Sequence, residues 1–423
     1  MTFSRGRLPS FIFVVLLIHS AAAWSQHQIP LTLAEAEDLA LTGEPGQAAL
    51  QAKSGALEQR AVVAAELPNP VLRVGLNNFP IESGGFSTEG MTHALVGIRQ
   101  TFPAGSSREI SARQMQLQAS AFSASADARG ADVLAAVRHA WLDAYYWQRA
   151  HALVSESRPF FSDLVVVTRS LYAVGRSNQQ DVLRAELELS RLDDRLIDTE
   201  RQHSRAQGAL SEWVGDNAWR PMATVLPNWG EVPGRDELHR NLLQHPTLRA
   251  ADSEIAARDA RVDLAEEQSK PAWALDFGYS YRQGMLPSGD PRSDFVSLVV
   301  SVDLPFFRKD SVDSSLSAAL LERSAASEEK SQMQRRLSSL LAQEYARWHD
   351  LSRRIELYEQ RILLQVEDQA RASLVAYQTD SGDFADVMRG YIDHLNTRLE
   401  HIRLQIDRAQ SYAMLANLGG ISR

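Results

Sequence analysis

The sequence predicts a mainly helical, exported protein with a small membrane-crossing β part, written twice along the chain. Three observations carry that expectation. The N-terminus reads as a secretory leader, four short segments alternate apolar and polar residues, and the same landmarks recur about 200 residues apart.

The leader comes first. Arg5 and Arg7 precede an apolar stretch from Phe11 to Ile18, and Ala21-Ala22-Ala23 follow as small residues suited to cleavage. That stretch is too short to span a bilayer as a helix, so residues 1–23 read as a signal peptide rather than an anchor. Its loss removes two positive charges from a chain of net charge −9. The remaining acidic balance argues against a nucleic-acid partner. With no cysteine among 423 residues, disulfides, thiolate metal sites and a lipidated N-terminal cysteine are all excluded.

The first repeat, 24–214, reads helix, strand, strand, long helix, turn, long helix. Its strands are 71–78 and 93–102. Leu72, Val74 and Leu76 oppose Arg73, Gly75 and Asn77, and Val96, Ile98 and Phe102 oppose Gly97, Arg99 and Thr101. A Pro-, Gly- and Trp-bearing connector, 215–234, leads to the second repeat, 235–418, and a short tail, 419–423. The second repeat's strands are 273–282 and 295–304. "WALDFGYSYR" sets Trp273, Leu275, Phe277, Tyr279 and Tyr281 against Asp276, Ser280 and Arg282, and the last strand sets Val296, Leu298, Val300 and Val302 against Ser297, Ser301 and Asp303. The duplication shows in Pro45 and Pro246, Pro70 and Pro271, Pro103 and Pro305, Tyr172 and Tyr377, and Asp181 and Asp386.

The helices are long and carry heptad seams. One runs through Val182, Ala185, Leu189, Leu192, Leu196, Thr199, His203, Ala206, Leu210 and Trp213, the other from Met388 through Tyr391, Leu395, Leu399, Ile402, Ile406 and Ala409 to Ala416. Seams of that length favour bundling between chains. The four strands raise the same demand. Each is long enough to cross a bilayer when tilted, yet four cannot close a barrel, and open edges cannot face lipid. A membrane role therefore requires several chains to share one barrel.

The duplicated strand, strand and long hairpin plan, with "LPNPVLRVGLNNF", "VGIRQTFPAG" and the Tyr172–Ala185 tip "YAVGRSNQQDVLRA", resembles the TolC-like outer-membrane efflux family over essentially the whole mature chain. The resemblance implies a homotrimer whose twelve strands form one outer-membrane barrel, continued by an α-barrel across the periplasm. It implies docking to a periplasmic adaptor protein and an inner-membrane pump, and its "LPNPVLRVGLNNFP" region is more similar to the heavy-metal cation branch than to the drug branch. The aromatic face of 273–281 would then meet lipid. Arg73, Arg99, Asp276, Arg282 and Asp303 would line the lumen.

In such a trimer the hairpin tips form the periplasmic entrance. Tyr172, Gly175, Ser177 and Asp181 correspond to Tyr377, Asp380, Gly382 and Asp386. Three copies of Asp386 and Asp383 around one axis would focus negative potential and favour cations. Tyr377 and Arg389 are the expected latch partners between neighbouring coils. Asp, Ser and Gly are also ordinary turn residues. Gly175 matches the family's tip glycine, whereas the second tip has Asp380 there and glycine at 382.

No catalytic constellation, cofactor fingerprint or clustered metal-ligand spacing is found, so an enzyme is not expected and no cofactor is implied. His394 and His401 share a helix face but read better as ordinary helix histidines than as ligands. The alternative function is a periplasmic adaptor or structural coiled-coil protein without a pore. Adaptors also carry helical hairpins but lack two widely spaced strand hairpins.

Overall fold

The computed structural model describes residues 30–420, apart from 228, 305–308 and 380. The leader, Pro305, Asp380 and the last three residues of the tail therefore lie outside the described residues.

Two short helices open the described chain, α1 (Leu33–Leu41) and α2 (Pro45–Ala65). Thr32 caps α1 by accepting from the Glu35 amide at 3.2 Å. Pro45 sits at the first position of α2, where a missing N–H costs nothing, and Glu44 caps it through the Gln47 amide. The second half repeats the device. After α5 (Arg235–Leu242), Pro246 opens α6 (Pro246–Glu267) with His245 Nδ1 accepting from the Thr247 amide at 3.2 Å. Pro45 and Pro246 are thus paired helix starts.

Strands β1 (Val71–Asn77), β2 (His93–Phe102), β3 (Trp273–Tyr281) and β4 (Phe295–Val302) form one antiparallel sheet in chain order. β2 pairs with β3, so the two repeats join at the centre of the sheet through Gly97 opposite Gly278 and Arg99 opposite Asp276. β1 and β4 are left as edges.

From β2 the chain turns at Gly105 into α3 (Ser107–Ala173). Gly105 has φ +47°, and a Cβ there would lie 1.8 Å from a Glu267 carboxylate oxygen. That oxygen accepts from the Ser106 amide at 2.7 Å, tying the start of α3 to the end of α6 where both approach the sheet. Its 67 residues make α3 about 100 Å long. It returns as α4 (Gln179–Val214), and a 3₁₀ turn (Gly215–Trp219) starts the connector. In the second half α7 (Lys309–Leu357) passes through a π turn (Tyr358–Ile362) into α8 (Leu363–Gln378), and α9 (Phe384–Gly419) returns.

The core is built where the halves meet. Leu31, Val133, Val137, Trp141, Leu142, Leu210 and Met222 bury under the connector, with the Trp141 indole N–H donating to the Leu31 carbonyl at 3.2 Å. A second cluster fills the coil between α3, α4 and α9: Leu153, Phe161, Leu164, Ala185, Leu192, Phe384, Leu395 and Leu399. This corrects one expectation. The heptad seams of α4 and α9 pack within a single chain, because α3 runs alongside both and covers them. The demand for neighbouring copies rests instead on the sheet and on apolar residues left outside the seams, among them Leu183, Leu187, Ile197, Leu321 and Leu364.

Candidate functional site: the strand wall and the hairpin tips

Strand register decides what each face of the sheet carries, since paired residues point the same way. One face holds Leu72, Val74 and Leu76 of β1, Val96 and Ile98 of β2, the four aromatic residues Trp273, Phe277, Tyr279 and Tyr281 of β3, and Val296, Leu298, Val300 and Val302 of β4. All are exposed, Val74 at 73% and Leu298 at 66%. An apolar band of this extent over four strands is unsuited to water and suited to lipid. Gln100 is its polar exception, and its amide donates to the Pro68 carbonyl at 2.9 Å. Trp273 stacks on Phe102 at 3.9 Å between centroids, at the end of the band where an amphipathic belt belongs. Among the described residues, no helix is long and apolar enough to cross a membrane.

The other face is mixed: it holds the charged and small residues of the sheet, with Val71, Phe295 and Val299 exposed on its outer strands. Ala274, Gly278 and Ser280 are buried on it. Arg73 donates to Asp276 at 2.8 Å across the intervening strand, and the Arg99 Nε lies 3.9 Å from the other carboxylate oxygen. Three of the five expected lumen residues are therefore brought together. Arg282 sits just past β3: its amide donates to Asp294 at 2.8 Å and its guanidinium lies 4.3 Å from the centre of the Phe295 ring. Asp303, just past β4, stands apart at the opposite end, its amide bonded to the Ala272 carbonyl.

The two hairpin tips turn by different means. Gly175 has φ +75°, and the Arg176 amide donates to the Leu171 carbonyl at 2.8 Å, a left-handed helix end. Gly382 is needed for space: a Cβ there would meet the Ala376 Cβ at 2.9 Å and its carbonyl carbon at 3.2 Å. The displaced glycine in the second half therefore answers a different steric demand.

At the first tip Ser177 donates to Asp181 at 3.0 Å, and Tyr172 is 49% exposed. At the second, Asp383 caps α9 by accepting from the Ala385 amide at 3.1 Å. Asp386 and Arg389 pair on one exposed helix face at 3.2 Å. Tyr377 packs against the buried Phe384 with ring centres 5.4 Å apart. Tyr377 and Arg389, expected as latch partners, thus each find a partner within their own coil.

Among the described residues no three metal-ligating side chains converge. His401 lies 3.2 Å from Glu359 and stacks on Tyr358, both in the π turn. His394 is half-buried, and burial lowers its pKa below the ordinary histidine value. The Arg73–Asp276 contact and the π turn had no local signal: the first joins residues 203 apart, and the second interrupts an unbroken helical pattern.

The open four-stranded sheet fused to long helical hairpins has the fold of outer-membrane efflux channels. Residues 238–420 match the family model for outer membrane efflux proteins. Over those residues the chain is similar to that family, and over its whole length it shares the fold of solved outer-membrane channels. It is 26% identical to Protein CyaE of Bordetella pertussis over 420 residues, covering 93% of this chain and 85% of that one. In fold it is similar to CusC, with TM-score 0.78 at 15% identity, covering 95% of both chains. The outer membrane protein VceC of Vibrio cholerae gives 0.76 at 16% identity, covering 92% of this chain and 96% of that one. The protein is an outer-membrane channel reaching into the periplasm, and channels of this family are trimers that work with an adaptor and an inner-membrane pump.

Proposed function

We propose that three copies of this chain form the exit duct of a tripartite export system, with an acidic periplasmic entrance that favours cationic cargo. Residues 1–23 are the leader removed on export, 24–214 and 235–418 are the two repeats, and 215–234 is the connector over the core. The observation that carries the reading is the open four-stranded sheet, with one face an exposed apolar band and the charged strand residues on the other, fused to hairpins some 100 Å long. Joining β4 of one copy to β1 of the next removes every edge. An adaptor or a poreless coiled coil has no use for such a sheet.

At the far end Asp181, Asp383 and Asp386 gather carboxylates at the tips, and a threefold axis repeats them. Tyr172, Gly175, Gly382, Tyr377 and Arg389 shape the turns that present them. Metal cations are the cargo class the sequence resemblance implies. The duct takes its energy from the pump to which its adaptor couples it.

Asp386→Ala tests the entrance. In planar bilayers under a salt gradient, the variant should show weaker cation preference than the wild type; an unchanged reversal potential removes Asp386 from the entrance. For cargo, a deletion strain should lose resistance to metal cations and regain it with the plasmid-borne gene. Unaltered metal tolerance with new sensitivity to drugs would redirect the cargo assignment.

A further inference from the structure

We propose that the barrel wall carries a cationic belt, built from Arg73 and Arg99, that draws multivalent anions into the duct. The inference rests on the reading that three copies close one barrel, and it gives the lumen a sign opposite to that of the tips.

Two adjacent rows of the face opposite the apolar band make the belt. One runs Val71, Arg99, Asp276, Val299, and the next Arg73, Gly97, Gly278, Ser297. They hold two guanidiniums and one carboxylate, a net charge of about +1 per chain and +3 per trimer. The flanking rows carry no charge: Thr101, Ala274 and Ser301 on one side, Gly75, Leu95, Ser280 and Phe295 on the other. The nearest carboxylates of the strand ends, Asp294 and Asp303, lie beyond those rows.

The single carboxylate is also hidden. Asp276 has a side-chain exposure of 15%, against 53% for Arg73 and 42% for Arg99. One Asp276 oxygen takes the Arg73 hydrogen bond at 2.8 Å, while Arg99 approaches the other only through Nε at 3.9 Å. The outer nitrogens of Arg99 are left to the lumen. The paired glycines explain how Arg73 reaches past β2. A Cβ on Gly97 would lie 2.7 Å from the Phe277 carbonyl oxygen, and one on Gly278 would lie 2.9 Å from Ser297 Oγ. No side chain stands over β2 or β3 in that row, so the Arg73 stem crosses the glycines unobstructed. A solute in the lumen therefore meets the cations and not the acid behind them.

Planar guanidiniums suit phosphate and sulfate groups. A twelve-stranded lumen is wide, and salt at physiological strength screens charge within about 8 Å, so the belt acts on multivalent anions and most strongly at low ionic strength.

The test uses the purified full-length protein in planar bilayers at low salt, with inositol hexakisphosphate added to each side in turn. The wild type should be blocked, more readily from one side. Arg99→Gln should raise the half-blocking concentration about tenfold, the low end of what electrostatic focusing achieves. Arg99→Lys should restore block, which a merely structural role for the arginine would not. Asp276→Asn, which uncovers both cations, should lower the half-blocking concentration. A channel that conducts but shows the same block in all four proteins, or none, overturns the belt and leaves the duct standing. Absence of any conductance overturns both.

Discussion

Glu37 and Arg138 make the most informative single perturbation. They join α1 to α3 across 101 residues, with Arg138 Nε donating to Glu37 at 2.6 Å. Both side chains are buried, at 6% and 9% exposure. The guanidinium also lies 5.9 Å from the centre of the Trp229 ring, so the pair pins the connector onto the core. Burying two ions costs desolvation that their mutual attraction only offsets. Removing one partner strands the other. Glu37→Ala should therefore destabilise the chain by about 3–5 kcal/mol, whereas Glu37→Leu with Arg138→Met should fall within about 1–2 kcal/mol of the wild type. The assay is a urea titration of detergent-purified protein followed by tryptophan fluorescence, which reports on Trp141 and Trp229 beside the pair. A double variant as damaged as the single one, or a single variant indistinguishable from the wild type, would refute the reasoning.

Other outcomes follow from the same physics. Phe277→Arg places a charge on the lipid face and should cost about 2–4 kcal/mol at mid-bilayer, seen as loss of assembled protein in outer-membrane fractions; normal assembly would reverse the assignment of faces. Burial lowers the pKa of His203, His245 and His394 below the ordinary histidine value. The unfolded chain then binds more protons than the folded one as pH drops through the ordinary histidine range, so stability falls from pH 7 towards 5, by at most about 1.4 kcal/mol per pH unit for each histidine. His245→Asn keeps a capping oxygen at α6 without titrating and should flatten that slope in denaturant midpoints taken at several pH values. Glu44 acts in a lower window. The hydrogen bond from Arg129 holds its carboxyl below the ordinary value, so its contribution persists at neutral pH and is lost only on stronger acidification.

Much of this architecture was legible in the chain because its signals are local. Alternation at Leu72, Val74 and Leu76 and at Trp273 to Tyr281 marked the strands and their faces within one residue or two of their ends. Pro45 and Pro246 marked paired helix starts. The seam residues Ala185, Leu192, Leu399 and Ile406 are buried as their spacing required. Which surface covers a seam is not local, and there the sequence pointed to neighbouring chains where α3 of the same chain suffices. The meeting of Arg73, Arg99 and Asp276 depends on β2 pairing with β3 across about 180 residues, a register that no window of sequence contains. The same holds for Glu37 and Arg138. At the tips, composition marked a turn but could not say that Gly175 serves a left-handed backbone while Gly382 serves close approach.

The central claim is that one copy cannot complete the sheet. Native mass measurement of the mature protein, extracted from outer membranes in mild detergent, tests it most directly. A particle of three chains that conducts when placed in a planar bilayer is the predicted result. A stable single chain, soluble without detergent and silent in the bilayer, would contradict it.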